Sequence, residues 1–157
     1  VLDLDWRAMF WPSPQDARRE YERLLEHVTV VVGNRAEVQV VVGTTDPEEA
    51  AGRLLEHGVQ IALVKKGAEG VLVASADGMA TVAPRLVEVV CGLGAGDGFG
   101  GALIHGLLSG WDPVRCAEYA NAAGAIVASR LACADAMPTL AELDAMVSAR
   151  TVRGGAR

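Results

Sequence analysis

Between residues 91 and 101 the chain reads Cys91-Gly92-Leu93-Gly94-Ala95-Gly96-Asp97-Gly98-Phe99-Gly100-Gly101. Upstream, Leu86 to Val90 reads as a strand; downstream, Phe99, Leu103 and Leu107 recur at helical spacing. The glycines therefore form a strand-to-helix turn. Such a turn leaves backbone N–H groups unpaired at the positive end of a helix, and small residues let an anion approach them closely. An aspartate there would repel the anion if binding were the only task. It makes sense as a base that accepts a proton from a hydroxyl attacking a phosphorus held nearby. The amides of Gly94, Ala95 and Gly96 would then stabilise charge on the transferred group. The plainer reading of Asp97 is a helix-start residue.

Two other glycine-loop chemistries are weaker. Gly96, Gly98 and Gly101 satisfy GxGxxG, but a dinucleotide fold needs a strand after that helix, carrying an acid near its end. Here Trp111-Asp112-Pro113 leads into another helix. A Walker A loop is excluded because no GK[ST] follows.

The elements that must position this turn are legible from their punctuation. Ser13-Pro14-Gln15-Asp16, Asp46-Pro47-Glu48-Glu49 and Asp112-Pro113 open helices with a capping side chain followed by proline, and Thr139-Leu140-Ala141-Glu142 is a capping box. Branched apolar runs at Val28 to Val32, Gln60 to Val64 and Val71 to Ala74 read as buried strands. Asp77-Gly78 reads as a hairpin turn into Met79 to Ala83. Helix and strand alternate first, strands cluster in the middle and three helices finish the chain, which predicts an α/β layered domain. The 157 residues suit one compact domain, with residues 1–150 folded and 151–157 a flexible tail. Hydrophobic residues make up 51% and charged residues 22%, enough for a core, while aromatics are only 4%, which disfavours a β-sandwich.

A net charge of −6 with no compensating basic face argues against nucleic-acid binding. Cys91, Cys116 and Cys133 lack paired or CxxC spacing and read as buried thiols in a reducing compartment. No run approaches the roughly 20 apolar residues of a membrane span, and no signal peptide is evident. The opening Val1-Leu2-Asp3-Leu4-Asp5 reads as the middle of a strand, which suggests a fragment.

GAGD followed by Phe99 and Gly101 resembles the second signature, DTxGAGDxF, of the PfkB (ribokinase-like) carbohydrate kinases. Other segments resemble that family in the same order. Asp3-Leu4-Asp5-Trp6-Arg7 with Phe10-Trp11 is similar to its DxNxR segment, and more closely to the DLDxRPMFW form of the inositol-catabolism subgroup. Asn34-Arg35-Ala36-Glu37 resembles NxxE, Lys65-Lys66-Gly67-Ala68-Glu69-Gly70 resembles KxGxxG, and Asn121-Ala122-Ala123-Gly124-Ala125 resembles the helix lining the adenine pocket. The resemblance spans roughly residues 1 to 149.

It implies the nucleotide-binding, C-terminal portion of a three-layer α/β/α ribokinase-like fold, without the lid and sugar-binding half. It implies a cytoplasmic kinase using ATP and Mg²⁺, with Asp97 as base, Gly94, Ala95 and Gly96 as anion hole, and Asn34 and Glu37 organising the metal through water. Lys66, Gly67, Gly70 and Asn121 would lie along the nucleotide. The implied acceptor is a sugar or sugar acid, 5-dehydro-2-deoxygluconate on the subgroup's pattern, phosphorylated on its primary hydroxyl. The alternative is a truncated nucleotide-binding or assembly module without turnover.

Each residue also has a plainer role. Asn34 and Glu37 would cap a helix, Lys66-Gly67 would be a plain strand connection, and Asn121 would pack; in the family reading the Lys66-Gly67 backbone contacts ATP while the Lys65 and Lys66 side chains stay solvated. Trp6, Phe10 and Trp11 would pack around the first strand, and His105 is expected to be structural. Cys91-Gly92 replaces the usual Asp-Thr, which puts a monovalent-cation site in doubt. Gly98 stands where alanine is common and loosens the first helical turn by up to ~1 kcal/mol. The surface left by the missing half predicts a homo-oligomer.

Overall fold

The computed structural model describes residues 1–153. The chain forms two compact units, Val1–Val82 and the residues from Ala83 onward. In the first, β1 (Leu2–Asp3), β2 (Val30–Asn34), β3 (Ile61–Lys65), β4 (Val71–Ser75) and β5 (Gly78–Val82) form one sheet in that order. The first three strands are parallel, β4 pairs antiparallel with β3, and β5 pairs antiparallel with β4. Parallel neighbours need crossovers. These are α1 (Pro14–Leu25) between β1 and β2, then α2 (Arg35–Val42) and α3 (Pro47–Glu56) between β2 and β3. The expected α/β class holds.

The caps behave as the sequence predicts. Ser13 Oγ accepts the Asp16 N–H at 3.1 Å and Asp46 Oδ1 accepts the Glu49 N–H at 2.8 Å, each ahead of a proline in the first turn. Each cap contributes about 1 kcal/mol. Val31, Ala62, Val64 and Leu72 share a core with Val38, Val41 and Leu54 of the helices. The alternate strand residues Val32, Leu63 and Val73 are buried too, which explains why these strands read as unbroken apolar runs. Tyr21 of α1 donates to the Leu4 carbonyl and ties that helix to the end of β1. Trp6 and Trp11 pack against this core as expected. Phe10 does not: it is 76% exposed, on a 3-10 turn (Ala8–Phe10) that buries no residue.

The second unit contains α4 (Ala95–Leu108), α5 (Pro113–Ala128) and α6 (Leu140–Arg153). Asp112 caps α5 through the Arg115 N–H at 3.0 Å. Thr139 and Glu142 form the predicted reciprocal box at the start of α6, with Glu142 Oε2 accepting the Thr139 N–H at 2.7 Å. Small residues let α4 and α5 meet closely. A Cβ on Gly106 would lie 2.7 Å from Cys116 Sγ, and one on Gly98 would lie 2.9 Å from Val127 Cγ2. Gly98 is therefore more than a loosened helical turn. Gly98→Ala gains about 1 kcal/mol of helix propensity but presses a methyl into a fully buried valine. In urea titrations the gain should be larger in a Val127→Ala background than in the wild type, and equal gains would refute the contact.

The strand expected over Leu86 to Val90 does not form. The segment has no regular secondary structure and no sheet neighbour among the described residues. It is tethered to α5 instead: Asn121 Nδ2 donates to the Ala83 carbonyl at 3.1 Å, and the Val90 and Cys91 amides both donate to the Ala128 carbonyl at 2.8 and 3.0 Å. β-branched composition favours a strand only where a partner strand exists. Here Leu86, Val89 and Val90 are 84%, 68% and 53% exposed. Of the tail expected over 151–157, residues 151–153 continue α6 and 154–157 lie outside the described residues.

Candidate active site

The glycine-rich turn sets the direction of α4. Gly94 is its N-cap at φ +83°, ψ −7°, a left-handed conformation that favours glycine. The Gly98 amide closes onto the Gly94 carbonyl at 2.9 Å and the Ala95 amide onto Gly92 at 3.3 Å. Helix geometry leaves the Gly96 and Asp97 amides without an intrahelical partner. Asp97 stands in this first turn and is exposed. Among the described residues its carboxylate has no hydrogen-bond or ion-pair partner, so the helix cap is Gly94 and not Asp97. Asp97 borders a groove of about 330 Å³ floored by Ala102, Ala123 and Leu143 and walled by Met137, Pro138 and Leu140. The arrangement offers free amides, one carboxylate and an apolar recess beside them.

His105 lies along the same groove, exposed, with its ring edge-on to Trp111 at 5.4 Å. It is thus not an interior histidine. Asn121 has one end of its amide engaged by Ala83. Cys116 is buried, and burial pushes its thiol up from the ordinary range; Cys91 and Cys133 are only half-buried, and all three are free thiols.

In the first unit the carboxyl ends of the parallel strands gather polar residues, where ligands of open α/β sheets are usually bound. Asn34 ends β2 and Lys65 ends β3, paired in register. Asn34 Oδ1 accepts the Ala36 and Glu37 amides at 2.9 and 3.0 Å, and Glu37 Oε2 accepts the Asn34 N–H at 2.6 Å. The plainer reading of both residues, a capping box, is what the backbone shows. Yet Glu37 is only 8% exposed, the one charged side chain among the buried polar residues described. Asp3 ends β1, with Lys65 Nζ 3.7 Å from its Oδ2. Asp5 just beyond it takes φ +30° and pairs with Arg7 at 2.8 Å. Lys65 was a poor sequence signal because its partner lies 62 residues earlier; only parallel pairing of three strands brings them together.

Gly67 and Gly70 of the lysine-glycine turn have φ +63° and +91°, and the turn closes through the Lys66 amide on the Gly70 carbonyl at 2.8 Å. Both glycines are thus required by the connection itself. Lys66 Nζ donates to Thr81 Oγ1 at 3.2 Å in an exposed contact, and both lysines are half-buried.

Burial pushes the Glu37 carboxyl above its usual range; the Asn34 amide and Lys65 draw it back, and Asp3 and Asp5 push it further up. The folded chain therefore holds this proton more tightly than the unfolded chain does. The resulting stability is fully present below the ordinary carboxylate range and is lost as pH rises through the raised value. Glu37→Gln keeps an oxygen for the Asn34 amide and removes the charge. Relative to wild type it should be more stable at about pH 8 than at about pH 4, read from urea midpoints. A wild-type-minus-variant difference independent of pH would contradict this.

Among the described residues no group of three His, Cys, Asp or Glu side chains could hold a metal. A direct protein cage is therefore absent there. With both side chains engaged in the capping box, a divalent ion beside phosphates would meet Asn34 and Glu37 only through its waters.

The profile described as pfkB family carbohydrate kinase covers residues 2–140. The chain is 30% identical to the 5-dehydro-2-deoxygluconokinase of Geobacillus kaustophilus, over 94% of this chain and 45% of that protein. It is 31% identical to the enzyme of the same name from Bacillus subtilis, over 96% and 47%. The chain thus spans about half the length of the curated relatives it matches. Among solved structures, a putative ribokinase II from E. coli in complex with ATP and Mg²⁺ superposes with a TM-score of 0.84 at 31% identity, over 94% of this chain and 47% of that one. With the family profile matched along most of its length, the chain belongs to the pfkB family of carbohydrate kinases.

Proposed function

We propose that this chain is the nucleotide-binding, C-terminal part of an ATP-dependent sugar kinase whose acceptor is 5-dehydro-2-deoxygluconate. The observation that carries the reading is the turn at Gly94–Asp97, where amides and a carboxylate without partners among the described residues share one helix start beside a groove. Asp97 accepts the proton of the attacking sugar hydroxyl. The Gly94, Ala95 and Gly96 segment presents backbone dipoles to charge developing on the transferred phosphoryl group. Asn34 and Glu37 orient the water shell of Mg²⁺, and the ion when bound neutralises phosphate charge. Lys66, Gly67, Gly70 and Asn121 line the nucleotide. The acceptor rests on the names of the relatives at about 30% identity.

A second reading, a nucleotide-binding or assembly module without turnover, is favoured by the span of about half the relatives' length. Calorimetry with MgATP and a coupled assay for ADP release separate the two. Binding with sugar-dependent turnover supports the kinase; binding alone supports the module; no binding refutes both. The exposed Leu86, Val89, Val90 and Leu93 favour self-association, which a monodisperse monomer in light scattering would contradict. Free thiols and the use of ATP favour a cytoplasmic setting.

A further inference from the structure

Three close contacts fix the first turn of α4, and all come from α5 and the loop after it. A Cβ on Gly98 would meet Val127, the Ala95 carbonyl lies where a Cβ on Gly124 would approach it at 3.2 Å, and a Cβ on Gly94 would meet Cys133 Sγ at 2.6 Å. The first two are set by helix packing. The third depends on a loop, residues 131–139, that has only one 3-10 turn (Ala134–Ala136) of regular structure.

One side chain holds that loop at two points. Arg130, just past the end of α5, donates through Nη1 to the Ala136 carbonyl at 3.0 Å and through Nη2 to Glu142 Oε1. Glu142 in turn caps Thr139. Backbone hydrogen bonds from Thr139, the Arg130 guanidinium and the Thr139 hydroxyl hold the Glu142 carboxyl down to about 2. The guanidinium fork suits this task, since one planar group satisfies a carbonyl and a carboxylate together. Between its two anchor points lie Met137 and Pro138, which wall the groove beside Asp97. Before them lies Cys133, against Gly94.

We infer that Arg130 is a positioning residue for the phosphate cradle. It never touches a ligand; it sets the loop that seats Gly94, and Gly94 sets where the Gly96 and Asp97 amides point. The inference rests on the nucleotide reading above for its ligand, but its structural half is measurable without one.

The test compares Arg130→Ala with Tyr119→Phe in the full chain. Tyr119→Phe removes the 2.7 Å bond to Asp144, another tie between α5 and α6 that does not involve the loop. In ligand-free amide spectra, Arg130→Ala should shift the signals of Gly94, Gly96 and Asp97, and Tyr119→Phe should not. By calorimetry with MgADP, Arg130→Ala should weaken binding about tenfold and Tyr119→Phe less than about twofold. Arg130→Lys keeps a cation for Glu142 without the second donor, so it should recover only part of the affinity. Unmoved cradle signals, equal losses in both variants, or full recovery with lysine would overturn the inference. If the wild-type chain itself fails to bind MgADP, the nucleotide reading falls, and the ligand-free spectra alone decide the role of Arg130.

Discussion

Asp97→Asn is expected to lower phosphoryl transfer by about 10²–10⁴-fold while leaving ATP affinity unchanged or slightly tighter. The assay requires a kinase in which this chain is joined to the portion of its relatives that it does not span. Asparagine has the shape of aspartate but cannot accept the hydroxyl proton, so the loss falls on turnover. Affinity is spared for a separate reason. The carboxylate stands in the first turn of α4 without a cation partner among the described residues, so it repels phosphate at the same point where the amides attract it. Removing the charge relieves that repulsion. It also removes a favourable interaction with the helix dipole, about 0.3–1 kcal/mol of stability, too little to unfold a domain. A loss in affinity equal to the loss in turnover would mean that Asp97 positions the nucleotide and is not the base. Unchanged turnover would exclude the base assignment altogether.

What the sequence made legible was whatever is encoded locally. The Ser13, Asp46, Asp112 and Thr139 caps are read within four residues and all four form. The buried strands announce themselves by composition, because they are covered on both faces. The glycine-rich turn was legible as a helix start, because the left-handed backbone at Gly94 and the close packing at Gly98 demand small residues. Less legible was everything set by a distant partner. Leu86 to Val90 has the composition of a strand, but pairing is decided by neighbours, and α5 tethers it instead. Lys65 meets Asp3 only through strand order. Cys133 carries no signal of its own; its place against Gly94 depends on the Arg130 bridge. Asn34 and Glu37 show a different ambiguity. The same two residues satisfy a capping box and fit a metal-organising motif, and the capping geometry accounts for their spacing without any ligand. What capping leaves unexplained is the burial of a carboxyl whose ionisation that burial opposes. An exposed glutamate would cap the helix equally well.

Gly94→Ala should be the most destabilising single-methyl change in the second unit, and its cost should divide into two separable parts. The first is conformational. At φ +83° an alanine costs about 1–2 kcal/mol more than glycine. The second is steric. The new methyl would lie 2.6 Å from Cys133 Sγ, far inside contact distance, and relieving such an overlap typically costs about 1–3 kcal/mol. Together these give roughly 2–5 kcal/mol, a large fraction of the stability of a small domain. Cys133→Ala removes the sulfur but leaves Cys133 Cα and Cβ at 3.5 and 3.6 Å from the same methyl, which is ordinary contact. In the Cys133→Ala background, Gly94→Ala should therefore cost only the conformational part. The coupling energy from the four-protein urea cycle should be about 1–3 kcal/mol, with the double variant more stable than additivity predicts. A zero coupling energy would show that Cys133 does not bear on Gly94, and the loop would then have no hold on the cradle. A coupling energy in the expected range, with MgADP binding still lost in the double variant, would show that the left-handed backbone at residue 94, and not merely space around it, presents the amides to phosphate.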